Sequence, residues 1–214
     1  VTHATKLSDP AITKAFHSVG QFLPNPKYVN AGWGDVKSPN TTAFGDVATT
    51  LNNGECLMTH QASFFDGFIS DPKNGGGKVG PDADIWAFVT PPIDASAGPA
   101  VTGGGEIVGA FSNDADTIKV QEYLSSAEWA NSRVKLGGVT SANKGLDASS
   151  ASSPVLQAAI KILQDPKTTF RFDASDLMPG AVGSGSFWKG MVDWINGTPT
   201  ADVVKTIDAS WPSD

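Results

Sequence analysis

Carboxylates, histidines and isolated aromatic rings are the side chains whose placement in this sequence could support chemistry. Asp173 and Asp176 flank Ala174-Ser175, close enough for both to face one cleft, and Glu106 follows three glycines. Two carboxylates on opposite sides of a sugar ring are the arrangement of glycoside hydrolysis. Carboxylates that merely accept hydrogen bonds from sugar hydroxyls look the same in sequence. Asp173 and Asp176 also suit caps on turns ahead of Pro179. His3, His17 and His60 show neither the i, i+4 pairing of a zinc helix nor a nearby Gly-x-Ser-x-Gly elbow. The plain expectation puts two of them on the surface and packs His60 at a strand end. No metal site is expected, and no cofactor. Gly75-Gly76-Gly77-Lys78 is not a phosphate-binding loop, because Val79 follows the lysine and no strand-to-helix context surrounds it.

The aromatic residues are more informative. Phe187, Met191, Trp194 and Ile195 fall at i, i+4, i+7 and i+8, one buried helical stripe, with Trp188 rotated about 100° away from it. A flat ring at a first helical turn, beside Gly183 and Gly185, suits stacking on the C–H face of a pyranose; packing on a neighbouring helix is the alternative. Phe64-Phe65 offers the same choice, since one ring can be core while its neighbour is a platform. Gly103 to Gly105 weaken a strand pattern and expose backbone N–H groups, which suits a ligand lying close by, a bulge or an interdomain crossing.

These residues sit in a chain of 214 with 15 basic and 22 acidic side chains, a formal charge of −7. The apolar share, 40%, is enough for a sizeable core and excludes wholesale disorder. Arginine occurs only at Arg133 and Arg171, so no basic surface for nucleic acid or an anionic membrane is expected. The longest apolar run, Glu106 to Phe111, is strand-sized, which excludes direct membrane insertion by a spanning helix. A lone Cys56 supplies neither an internal disulfide nor a cysteine-rich zinc site. Val1 to Leu7 carries no charged segment followed by an apolar one, and a chain beginning at Val1 is expected to be processed, truncated or cloned as a piece.

The elements that must position the candidates read as follows. Ser8-Asp9-Pro10 opens a helix over 9–22, and Phe44, Val47, Ala48 and Leu51 mark a second that stops at Asn52-Asn53-Gly54. Strands are expected at 55–59, 84–90 and within 100–111. Asn113-Asp114 caps a helix, 127–136 is another ending at Gly137-Gly138, and Asp147 to Ser153 is the best linker candidate. Pro154 opens a further helix, Phe170 to Asp173 is extended, and the last two helices start near Ser184 and near Thr198-Pro199, with the threonine as cap. Few strands among many helices make the class α/β.

Gly54-Glu55-Cys56-Leu57-Met58-Thr59-His60-Gln61-Ala62-Ser63-Phe64 resembles the helix, glycine and strand segment of ABC-transporter sugar-binding proteins of the maltose-binding type. Val101 to Gly138 looks like that family's crossing between lobes. Phe170 to Pro179, then Ser186-Phe187-Trp188-Lys189-Gly190 and Trp194-Ile195-Asn196-Gly197, looks like the C-terminal end of the α-glucoside binders. Carried over, the resemblance implies stacking platforms at Phe64, where the group has a tryptophan, and at Trp188. It also implies the backbone of Gly104 and Gly105 and the Glu106 side chain near the sugar, Arg171 and Asp173 as hydroxyl partners, and Asp176 as a weaker one.

The fold it implies is the C-terminal lobe of a two-lobed, type II periplasmic-binding-protein fold, formed by residues 1–102 and 141–214. Residues 103–140 would be a helical excursion belonging to the N-terminal lobe, most of which the chain lacks; without it, the helix after Asp114 would expose its apolar face. The implied function is capture of an oligosaccharide, an α-glucoside, for an ABC permease, outside the cytoplasmic membrane, free in a periplasm or as a surface lipoprotein whose anchor is not Cys56. A glycoside hydrolase fragment and a lectin-like module are the rival readings.

Overall fold

A computed structural model describes residues 3–29, 35–92 and 94–212. The chain divides into two compact units, Val1–Ala43 with Phe172–Asp214, and Phe44–Arg171. It is a mixed α/β chain, dominated by short helices, with one two-stranded sheet among the described residues.

Among the described residues, the first unit is built mainly on three α-helices. α1 (Pro10–Gly20) starts as expected, with the Asp9 carboxylate accepting from the Ala11 N–H. A wide π-helical turn, Ala181–Phe187, runs straight into α7 (Trp188–Ile195), and α8 (Thr200–Ala209) follows. Leu7, Val182, Trp194, Ile195, Val203, Val204 and Ile207 form the core, with Phe16, Phe187 and Met191 against it. The predicted stripe on α7 is therefore the buried one. Gly190 lets α7 and α8 approach: a Cβ there would lie 2.9 Å from Ile207 Cδ1 and 3.1 Å from Val203 Cγ1. Trp194 donates through Nε1 to Thr200 Oγ1 at 3.0 Å, satisfying the polar end of a buried ring. Thr198 does not cap α8; Pro199 occupies the cap position and no side chain closes that end.

The second unit contains two apolar clusters. α2 (Val47–Asn52) and α3 (Phe65–Ser70) bury Ala48, Phe65 and Ile69. α5 (Ala127–Val134) and α6 (Pro154–Gln164) bury Ala130, Val134, Leu156 and Ile160, together with Leu146 and Ala151. The linker expected at 147–153 is thus part of a core. Asp147 folds it into a short turn by accepting from Ser149, and Ala151 packs inward. Ser153 caps α6 through Leu156 N and also hydrogen-bonds the buried Asp66 carboxylate of α3, which ties the two clusters together. α4 (Ala115–Leu124), capped by Asp114, lies against α5.

β1 (Ala100–Gly103) pairs with β2 (Thr169–Phe172). The other expected strands do not form. Glu55 and Cys56 turn back to donate to Thr50 O at the end of α2, so the 55–59 run is used as a helix stop. Residues 84–90 keep one bridge, Val79 to Ile85, and 104–111 leave the sheet after Gly103. Leu57 is 93% and Ile107 85% exposed, so these runs have the apolar composition of strands without a sheet face to cover them. His60 is exposed; it is His3 that packs, stacked on Trp211 at 4.4 Å.

Candidate functional site

The candidate residues sort into three local groups, two in the second unit and one in the first. Phe64 stands at the N-terminal edge of α3, where consecutive rings diverge: Phe65 is buried in the α2–α3 cluster, while Phe64 stays 36% exposed. Of the two adjacent rings, Phe65 is the core one and Phe64 the one left open. Sequence patterning assigned Phe44 to the apolar stripe of α2, yet it precedes that helix and is 58% exposed, with its ring centroid 5.9 Å from that of Phe64.

Gly104, Gly105, Glu106 and Arg171 gather around the small sheet. Gly104 follows the last residue of β1, Arg171 lies on β2, and all four are exposed. Gly103 has a packing reason to be glycine, since a Cβ there would lie 2.6 Å from the Phe170 ring. Gly105 has open space where its Cβ would be. The backbone is thus bare on the solvent side of the run and tightly packed at its start. Arg171 Nη1 donates to Phe170 O at 3.2 Å, an exposed contact with its own neighbour.

Asp173, Asp176 and Trp188 belong to the first unit. Asp173 Oδ1 accepts from both Ser175 N (2.8 Å) and Ser175 Oγ (2.7 Å), closing a turn. Those two bonds, the hydroxyl foremost, hold its carboxyl below the usual range against a smaller opposing effect of burial. A carboxylate held ionised can accept hydrogen bonds but is poorly suited to donate a proton as a general acid. Asp176 is exposed beside it. The Asp173 turn is pressed onto the π-helical stretch at Gly183, where any Cβ would collide with Ser175 O. This corrects one expectation: Gly183 makes room for the Asp173 turn rather than for a ligand against Trp188. The result still joins the two, because that stretch leads without a break into Trp188, which is 70% exposed and lies off the core stripe of α7.

No cluster of three or more metal-ligating side chains exists among the described residues. A surface depression lined by Asp202, Lys205, Thr206, Ala209 and Ser210 includes none of the candidates. The three groups therefore offer rings, exposed backbone and hydrogen-bond acceptors.

Comparison with known proteins bears on the same question. The chain is 29% identical over 214 residues to the osmoprotective compounds-binding protein GgtB of Synechocystis, covering 99% of this chain. It is 32% identical over 217 residues to the alpha-glucosides-binding periplasmic protein AglE of Rhizobium meliloti, covering all of it. The resemblance to solute-binding proteins holds over the whole chain. The match takes in 48% of GgtB and 45% of AglE, so the chain spans about half the length of these relatives. No protein-family model matches the chain. No solved structure matches it either.

Proposed function

We propose that this chain is part of an extracytoplasmic solute-binding protein that captures an oligosaccharide, an α-glucoside, and delivers it to an ABC-transporter permease. The observation that carries this reading is the match, over the whole of this chain and 45% of the relative, to a protein named as an alpha-glucosides-binding periplasmic protein. The exposed rings of Phe64 and Trp188 would stack on pyranose C–H faces, while Arg171 and the ionised Asp173 would exchange charge-assisted hydrogen bonds with hydroxyls. Gly104, Gly105 and Glu106 in the second unit and Asp176 in the first would each add polar contacts. The lobe assignment follows the same reading: 1–102 and 141–214 in one lobe, 103–140 crossing into the other, and capture by closure of the two. The working location is the periplasm or the outer surface of the membrane.

The binding step needs no bond making. Both relatives carry the names of binding proteins, and the depressed Asp173 carboxyl is unsuited to the general-acid role of a glycoside hydrolase. Calorimetry of the full-length natural protein against maltose-, trehalose-, galactoside- and xyloside-type oligosaccharides tests the proposal. Heat is expected with the α-glucosides, and an absence of heat with all four would overturn it. Release of reducing ends, abolished in Asp173→Asn, would establish the hydrolase instead.

A further inference from the structure

Three asparagines are followed directly by glycine, at Asn53-Gly54, Asn74-Gly75 and Asn196-Gly197. Each pair closes a helical segment, and the glycines turn left-handed at φ of 72°, 102° and 105°. Glycine takes up that conformation at least cost. It also leaves each asparagine open to attack by its own backbone, because no Cβ screens the following nitrogen from the side-chain carbonyl carbon. The fold treats the three side chains differently. Asn74 is half-buried, with Nδ2 donating to Phe68 O at 2.9 Å and Oδ1 accepting from Thr49 Oγ1 at 3.4 Å. Asn196 is exposed but follows the buried Trp194 and Ile195, and its Oδ1 accepts from Asn40 Nδ2 at 3.3 Å. Asn53 is exposed, ends a helix of only 6 residues, and its side chain makes no hydrogen bond among the described residues.

We propose that Asn53 is a site of spontaneous covalent modification, the first position at which the folded protein loses a side-chain amide and becomes a mixture of aspartate and isoaspartate. The Gly54 nitrogen gives up its proton to hydroxide and bonds to Asn53 Cγ. The Cγ–Nδ2 bond breaks, the leaving nitrogen takes a proton from water and departs as ammonia, and a succinimide ring remains. Water then opens the ring at either carbonyl, so NH3 is lost and H2O gained, with no change of oxidation state. The helix end gates this step. Asn53 sits at φ −81° and ψ −4°, and Gly54 N donates to Leu51 O at 3.0 Å, so the last turn must open before the nitrogen can face Cγ. Ends of short helices open most readily. Asn196 has nearly the same backbone, φ −74° and ψ −4° with Gly197 N on Trp194 O at 3.0 Å, but buried neighbours and Asn40 hold that turn. Isoaspartate carries the chain through its side-chain carbon, which lengthens the backbone and disturbs the bonds from Gly54 N to Leu51 O and from Glu55 N to Thr50 O that finish α2.

The test is peptide mapping by mass spectrometry of the full-length natural protein held in mildly alkaline buffer, once folded and once in guanidinium chloride. Unfolded, the three Asn-Gly peptides should exchange ammonia for water at similar rates, because the reacting dipeptide is the same. Folded, the Asn53 peptide should convert first, the Asn196 peptide later and the Asn74 peptide last, with isoaspartate as well as aspartate in the product. Asn53→Gln, which would have to close a larger and slower ring, should lose that conversion and leave the other two rates unchanged. The thermal midpoint of the parent should fall in step with Asn53 conversion, while the Asn53→Gln protein keeps its own over the same period. A folded protein in which Asn196 or Asn74 converts first, in which all three keep their unfolded rates, or in which Asn53 stays intact overturns the proposal. Aspartate without isoaspartate at position 53 overturns it as well, since direct hydrolysis would then replace the succinimide. None of these outcomes bears on sugar binding.

Discussion

Asp208 shows how much one side chain can organise. Its Oδ1 accepts from Leu7 N (2.7 Å) and lies 3.0 Å from His3 Nε2, while Oδ2 accepts from Ser8 N (3.0 Å) and Ser8 Oγ (2.6 Å). Burial alone would raise its pKa, but the bonds from His3, Ser8 and Leu7 outweigh it and hold the value down at about 2. A depressed folded-state pKa stabilises the fold above the unfolded-state value, about 3.9, and this contribution disappears as pH falls through about 2. Asp208→Asn should therefore lower stability by about 1–3 kcal/mol at pH 7, with the gap from wild type closing at the acid end. Urea midpoints measured along a pH series check this, and a gap independent of pH would contradict it. Nothing in sequence singled out Asp208, because its partners lie at the opposite end of the chain. Asp173, by contrast, was readable: its turn partner Ser175 is two residues away.

Among the elements, α7 and α8 depend on the small size of Gly190, which lies against Val203 and Ile207. Gly190→Ala should lower stability by about 1–3 kcal/mol through overpacking, despite alanine's better helix propensity, and a thermal scan that shows stabilisation would reject this. α6 depends on Ser153, which serves two partners. Burial raises the Asp66 carboxyl above its usual range, opposed by the Ser153 hydroxyl and the Gly67 N–H. Ser153→Ala removes a helix cap and a hydroxyl donor to a buried carboxylate, so it should cost about 1–3 kcal/mol at pH 7. The raised pKa means that Asp66 takes up its proton at a higher pH than an ordinary aspartate, and the penalty should shrink towards the cap contribution alone near pH 3. Denaturant titrations at both pH values measure the difference. Helix positions were legible because caps and apolar spacing are local, as at Asp9, Asp114 and Pro154. The 55–59 and 84–90 strands were not, because a strand forms only where another strand pairs with it.

For the whole molecule, the second unit leaves much apolar surface open. Leu57, Met58, Trp86, Phe88, Ile107, Val108 and Phe111 are exposed, and α4 buries none of its residues, with Ile118, Val120 and Tyr123 turned to solvent. Apolar side chains left open in this way bind hydrophobic dyes and favour association where they lie together. The 214-residue chain alone should therefore bind a hydrophobic dye such as ANS strongly and self-associate with concentration. The full-length natural protein should bind less dye per molecule. Equal dye binding by the two would show that the surface is not covered in the longer chain. The residue pattern was sufficient for the α/β class, most helix starts, the buried stripe of α7 with Trp188 outside it, and the resemblance to solute-binding proteins, because each of these is carried by neighbours in sequence. The Phe44–Phe64 edge-to-face contact, the seat of the Asp173 turn on Gly183 and the Ser153–Asp66 tie needed the folded chain. Each joins residues that sequence spacing does not relate, and packing alone determines which of them meet.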